Sequence, residues 1–179
     1  MATHGMIDIE SLDTVPGAAV LSIGACKFNP YTFEDTFDNK HWRINVDDQL
    51  AAGRSVSEST KEFWAKQPTE VQDAAFSPEG RIELDVFFKE LNKWCVGLND
   101  IWCQGPQFDM VILEDLYRSN NMHWNWPFWA IRDSRTLFQL PPQNPYREKR
   151  EGLHDALADS IWQARCVQKV FMYFEIKEE

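Results

Sequence analysis

The chain has no apolar run approaching the roughly 20 residues that span a bilayer, which excludes a transmembrane helix as its organising element. Its four cysteines, Cys26, Cys95, Cys103 and Cys166, are scattered without a C-x-x-C pair, so neither a zinc site nor a disulfide framework is expected. Nothing ahead of Asp8 has the basic, apolar and small-residue succession of a signal peptide. Together these gaps point to a soluble protein of a reducing cytoplasm. Positive charge is short as well: 18 Lys and Arg against 28 Asp and Glu leave a net charge of −10. A chain without a basic footprint is not expected to hold a long nucleic-acid duplex tightly. Internal repeats and low-complexity stretches are missing too. What remains, 179 residues of which 44% are hydrophobic, is enough for one substantial core, and residues 1–179 read as a single domain.

The periodicities give a coarse layout. Residues 5–10, 18–28 and 34–46 read as three strands, the first two loops carrying Pro16-Gly17 and Asn29-Pro30. Helices are expected over 57–67 and 80–97, the second with Ile82, Val86, Phe87, Leu91, Trp94 and Cys95 on one apolar stripe. A strand at 100–104, a helix from 109 to about 119, a strand near 128–132, a short helix at 134–140 and a C-terminal helix from 155 complete the order. Strands first and alternating elements afterwards suit an α/β fold: a central mixed five-stranded sheet with helices on both faces.

Acids stand at telling places in this layout. In Met6-Ile7-Asp8-Ile9-Glu10 the period of two sends Asp8 and Glu10 to one face of the first strand and Ile7 and Ile9 to the other. Ser11 to Gly17 then turn, leaving the two carboxylates beside an open cleft. Asp109 follows a strand broken by Gly105-Pro106 and opens a helical pattern; by itself it reads first as an N-cap. In Gly152-Leu153-His154-Asp155-Ala156-Leu157-Ala158-Asp159 the five-residue step from His154 to Asp159 is about 500° of helix. The two therefore cannot share a face mid-helix, and His154 belongs to the approach loop or first turn, with Asp159 inside the helix. Asp155 reads as an N-cap or surface acid. Collecting Asp8, Glu10, Asp109 and Asp159 in one pocket is unfavourable unless cations or protons compensate. Hard oxygen ligands of this kind suit Mg²⁺ or Mn²⁺.

The order D-x-E, then F-D about a hundred residues later, then H-x4-D, resembles the DEDDh exonucleases, the DnaQ-like or proofreading-exonuclease superfamily, over nearly the whole chain. Ser59-Thr60-Lys61-Glu62-Phe63-Trp64-Ala65-Lys66-Gln67 is similar to the S-T-x-x-W-W-x-x-Q segment of the phage exonuclease A (DexA) group and related bacterial exoribonucleases. Arg132-Asp133-Ser134-Arg135-Thr136 resembles the same group's R-D-x-R-T. Phe63 departs from that pattern, standing where the group carries a first Trp. The resemblance implies a ribonuclease-H-like fold and 3′→5′ hydrolysis of single-stranded nucleic acid or 3′ overhangs, RNA or DNA, to nucleoside 5′-monophosphates. It further implies two Mg²⁺ or Mn²⁺ ions on Asp8, Glu10, Asp109 and Asp159, His154 as general base, and a homodimer. Ser11 and Leu12 are expected to cradle the terminal nucleotide, Phe63 or Trp64 to stack on a base, and Gln67, Phe108, Arg132 and Arg135 to line the substrate path. Two divalent ions would partly offset the acidic charge and reverse the local field where phosphate sits. The 141–152 segment reads either as a solvated connection or as a lid in which Arg147, Lys149 or Arg150 meets phosphate. Two other classes fit the residues less well: a non-catalytic nucleic-acid-binding module on the same fold, and a metal-dependent nucleotide phosphohydrolase.

Overall fold

A computed structural model describes residues 2–148 and 154–178. Three strands, β1 (His4–Ser11), β2 (Val20–Phe28) and β3 (Phe37–Ile44), precede helices α1 (Asp47–Ala51), α2 (Glu58–Ala65) and α3 (Thr69–Phe76). Then come β4 (Arg81–Ile82), α4 (Leu84–Trp94), β5 (Ile101–Cys103), α5 (Asp109–Ser119), β6 (Ile131–Asp133), α6 (Ser134–Leu137) and α7 (Ala156–Tyr173). The sheet runs β4-β3-β2-β1-β5-β6. The β1–β2 and β2–β3 pairs are antiparallel, whereas β5 and β6 add parallel to β1 and β4 adds parallel to β3. No helix among the described residues is long and apolar enough to cross a membrane.

The sheet is mixed, as the element order leads one to expect, but it has six strands rather than five. The additional strand, β4, is two residues long and carries no period to read. It is held by Arg81, whose guanidinium donates to the carbonyls of Leu21, Ile44, Ala75 and Ser77. The expected 80–97 helix consequently starts at Leu84, after a turn in which Gly80 takes φ +68°. Helices α1 and α3 were not expected either. Helix α3 buries none of its residues fully; Val71 and Ala75 lean on the small core around Trp64, too short a stripe to mark a helix.

Each face of the sheet carries its own core. Ile7 and Ile9 of β1 pack with Ile23, Trp42 and Ile44 against Phe87, Phe88 and Leu91 of α4 and Ile112, Leu113 and Leu116 of α5. On the opposite face Met6, Cys26, Phe28 and Trp102 meet Ala164, Val167, Val170 and Phe171 of α7. The alternation of β1 thus turns Asp8 and Glu10 toward α7.

Gly24 permits that meeting. It stands opposite Asp8 in the β1–β2 register, and a Cβ there would lie 2.0 Å from the carbonyl carbon and oxygen of Ala156. Only a residue without a side chain lets the first turn of α7 sit on the sheet at this point. Gly24→Ala must push a helix backbone outward, and overpacking of this kind costs about 3 kcal/mol. We expect a melting temperature several degrees lower and weaker hydrolysis; an unchanged melting curve would remove this account of α7 docking.

Candidate active site

Three chain segments bring the acids together. Strand β1 presents Asp8 and Glu10, and a bulge between Glu10 and Ser11 ends its regular pairing with β2, as bulges beside active sites often do. After β5 the chain turns through Gly105 at φ +118°, and Asp109 opens α5. It does not cap its own helix. Its Oδ1 accepts the backbone N–H of Ile9 at 3.2 Å, tying α5 to β1 between the two acids. The start of α7 is capped by Asp155, whose side chain accepts from the N–H of Ala158 at 2.8 Å. His154 lies just before this cap at φ +63°, and its N–H donates to Asp159 Oδ2 at 3.2 Å. The bond makes the approach loop and the helical acid one unit.

Asp109 and Asp159 are buried, while Asp8, Glu10 and His154 are half-buried at the cleft. Ligand atoms of Glu10, His154 and Asp159 lie within 4.8 Å of one another. Asp8 has its carboxyl held well above the usual carboxylate range, first by withdrawal from water and then by Asp109, Glu10 and Asp159, with a hydrogen bond from Gln163 opposing. Asp109 is pushed up to about 7, again chiefly by burial, while the N–H of Ile9, its own N–H and the Arg135 guanidinium pull it down. Metal-free, the pocket therefore favours protons that a cation would displace. Hard carboxylate oxygens with one imidazole at its edge fit Mg²⁺ or Mn²⁺.

Beside the acids opens a cleft of about 390 Å³ lined by Ile9, Glu10, Ser11, Ser59, Phe63 and Phe108, among others. Its aromatic wall touches the histidine: the rings of Phe63 and His154 are 4.9 Å apart and perpendicular.

The profile of the Rv2179c-like 3′–5′ exoribonuclease domain matches residues 3–171. The chain belongs to this family. No curated protein matches it in sequence. Among solved structures, the zinc-bound Escherichia coli ExoI–ssDNA complex superposes with TM-score 0.68 at 13% identity, over 98% of this chain and 41% of that one. The nuclease domain of 3′hExo, a DEDDh family member bound to rAMP, gives TM-score 0.59 at 13% identity, over 96% of this chain and 92% of that one. Product-bound exonuclease I gives 0.63 at 14%, over 98% and 46%. The chain thus spans less than half the length of the exonuclease I chains it matches. At such identities the likeness concerns the fold, which is the ribonuclease-H-like fold of DEDDh exonucleases.

Within this exonuclease-family domain the structure sorts the expected substrate contacts. Ser11, Phe63, Trp64 and Phe108 line the cleft, and Arg135 lies near Asp109, donating to the carbonyl of Gln104 at 2.8 Å. Three others, Leu12, Gln67 and Arg132, are turned elsewhere. Leu12 packs its side chain in a small core with Ala19, Leu21 and Trp64, and its N–H and carbonyl are bonded to Ala19 and Ser57. Trp64, although it lines the cleft, is 2% exposed against 40% for Phe63 and gives its indole N–H to the Ser11 carbonyl at 3.1 Å, so it backs the wall and Phe63 is the more open ring. Gln67 donates to the Phe63 carbonyl at 3.0 Å and closes the end of α2. Arg132 pairs with Asp100 at 2.7 Å, at the opposite end of β5 from Asp109. Of the expected 141–152 segment, Pro145–Arg147 form a short 3-10 turn, whereas Lys149 and Arg150 lie outside the described residues.

One side chain at the acids was not anticipated. Gln163 stands one helical turn after Asp159 and donates its amide to Asp8 Oδ1 at 2.6 Å. The signal available was the spacing of four on a helix, which puts both residues on one face.

Proposed function

We propose that this domain hydrolyses the terminal phosphodiester of single-stranded nucleic acid from the 3′ end, releasing nucleoside 5′-monophosphates, with Mg²⁺ or Mn²⁺ held by Asp8, Glu10, Asp109 and Asp159, two ions per site. The observation that carries the reading is the convergence of four carboxylates and His154 beside a narrow, aromatic-walled cleft, in a chain of this family. When bound, such ions acidify a water and neutralise charge on the scissile phosphate. His154, bonded through its backbone to Asp159 and steadied by Phe63, takes the proton of the attacking water as general base. Asp109 keeps α5 fixed to β1, which holds the acids in register. The acidic net charge and the small cleft favour one or two unpaired terminal nucleotides over duplex, and the family favours RNA over DNA. The four cysteines of the chain are buried and outside any disulfide, which supports a reducing compartment. A homodimer is proposed on the resemblance to related exoribonucleases alone.

Incubation with Mn²⁺ and 3′- or 5′-labelled oligonucleotides, RNA and DNA of matched sequence, tests the reading. Stepwise loss from the 3′ end supports it. Phosphate release from a mononucleotide would point instead to a phosphohydrolase, and binding without turnover to a non-catalytic module.

Phe63→Ala should raise KM by an amount corresponding to about 1–3 kcal/mol per stacked base while sparing kcat. A fall in kcat at constant KM would confine Phe63 to supporting His154.

A further inference from the structure

Gln163 is buried in α7 at 1% exposure, yet neither of its polar ends serves the helix. Its amide nitrogen donates to Asp8 Oδ1 at 2.6 Å across 155 residues of sequence. Its amide oxygen is buried without a hydrogen-bond partner among the described residues. Leaving a buried acceptor unpaired costs about 1–3 kcal/mol, and packing does not ask for it. The neighbouring inward positions of α7, Ala164 and Val167, are apolar, and an apolar chain of similar length fills the same volume. Nor is the orientation of the amide arbitrary. An ionised carboxylate, the form that binds a cation, only accepts, so toward it the NH₂ end faces Asp8 and the carbonyl end takes the unfavourable position.

We propose that Gln163 is a positioning residue that clamps the Asp8 carboxylate, fixing its rotamer so that the acid is already oriented for a cation before one arrives. The proposal rests on the reading of Asp8 as a metal ligand. An acid without this clamp would turn away from Asp109, Glu10 and Asp159, whose charges repel it, and each binding event would have to reverse that movement. Partners that orient metal ligands are worth about 10–100-fold in affinity.

Calorimetric titration of Mn²⁺ into the full chain, wild type against Gln163→Met and Asp8→Asn, tests this, with melting curves in EDTA alongside. Met keeps the length and bulk of Gln and removes the donor. Gln163→Met should melt within a few degrees of wild type in EDTA and bind Mn²⁺ about 10–100-fold more weakly. Wild-type affinity in that variant overturns the proposal. Wild-type affinity in Asp8→Asn would instead sink the reading of Asp8 as a ligand, and the clamp with it. Should Gln163→Met fail to fold, a crystal structure of Mn²⁺-loaded wild type decides: the Gln163 amide still on an Asp8 oxygen supports the clamp, and an amide swung out of hydrogen-bond reach refutes it.

Discussion

Asp109→Asn leaves at most a few per cent of wild-type hydrolysis at saturating Mn²⁺, and Asp8→Asn does the same. Neither change should unfold the chain, because Asn keeps the oxygen that accepts the Ile9 N–H at position 109 and loses only charge. Without metal the variants should be as stable as wild type or more so. The sign follows from the elevated pKa values. A carboxyl whose folded pKa lies above its unfolded value, about 3.9 for Asp, contributes stability that is fully present below the unfolded value and lost as pH rises through the folded one. With Asp109 at about 7 and Asp8 also raised, the metal-free wild type should lose stability between about pH 4 and 7. Asp109→Asn should show a flatter profile, and Mn²⁺ should restore the wild type at the upper end. Melting curves in EDTA across that range read all three effects. Retention of substantial activity in either variant would show that the acids do not form the catalytic site.

His154→Ala should fold, bind Mn²⁺ and retain a nucleoside monophosphate product, while turnover falls by about 10²–10⁴-fold, the range for a lost general base. The geometry makes the metal titration decisive here, because the imidazole lies within 4.8 Å of ligand atoms of Glu10 and Asp159. Loss of a bound ion in His154→Ala would make the histidine a ligand instead, and turnover near that of wild type would make it a bystander.

The placement of Asp8, Glu10 and His154 was legible because each depended on a local rule. Alternation put Asp8 and Glu10 on one face, and helical pitch forced His154 out of the helix that carries Asp159. Asp109 was legible only through its partners in the pattern, since a helix-opening Asp reads first as a cap, and the bond to Ile9 that makes it something else joins residues a hundred positions apart. The flanking motifs misled where side-chain direction mattered. Arg132 and Arg135 sit in one motif, yet Arg132 is on a strand and pairs with Asp100, while Arg135 lies in the first turn of a helix near Asp109. Phe63 and Trp64 are consecutive on α2, so about 100° of helix separates them and only one faces outward. Gln163 went unread because an uncharged residue on an amphipathic helix carries no mark until its partner is seen.

The position of α7 has a consequence for how the domain acquires its chemistry. The hairpin of β1 and β2 is local and forms early, whereas Asp159 and Gln163 reach Asp8 only by closing a loop of some 150 residues, the kind of contact that forms late. A chain emerging from the ribosome therefore carries Asp8, Glu10 and then Asp109 without a competent site until its last helix docks over Gly24. Metal affinity should be small in every shorter nascent form and appear abruptly with that docking. Catalysis then starts only on a finished domain, and Mn²⁺ binding can serve as a clock for its final folding step.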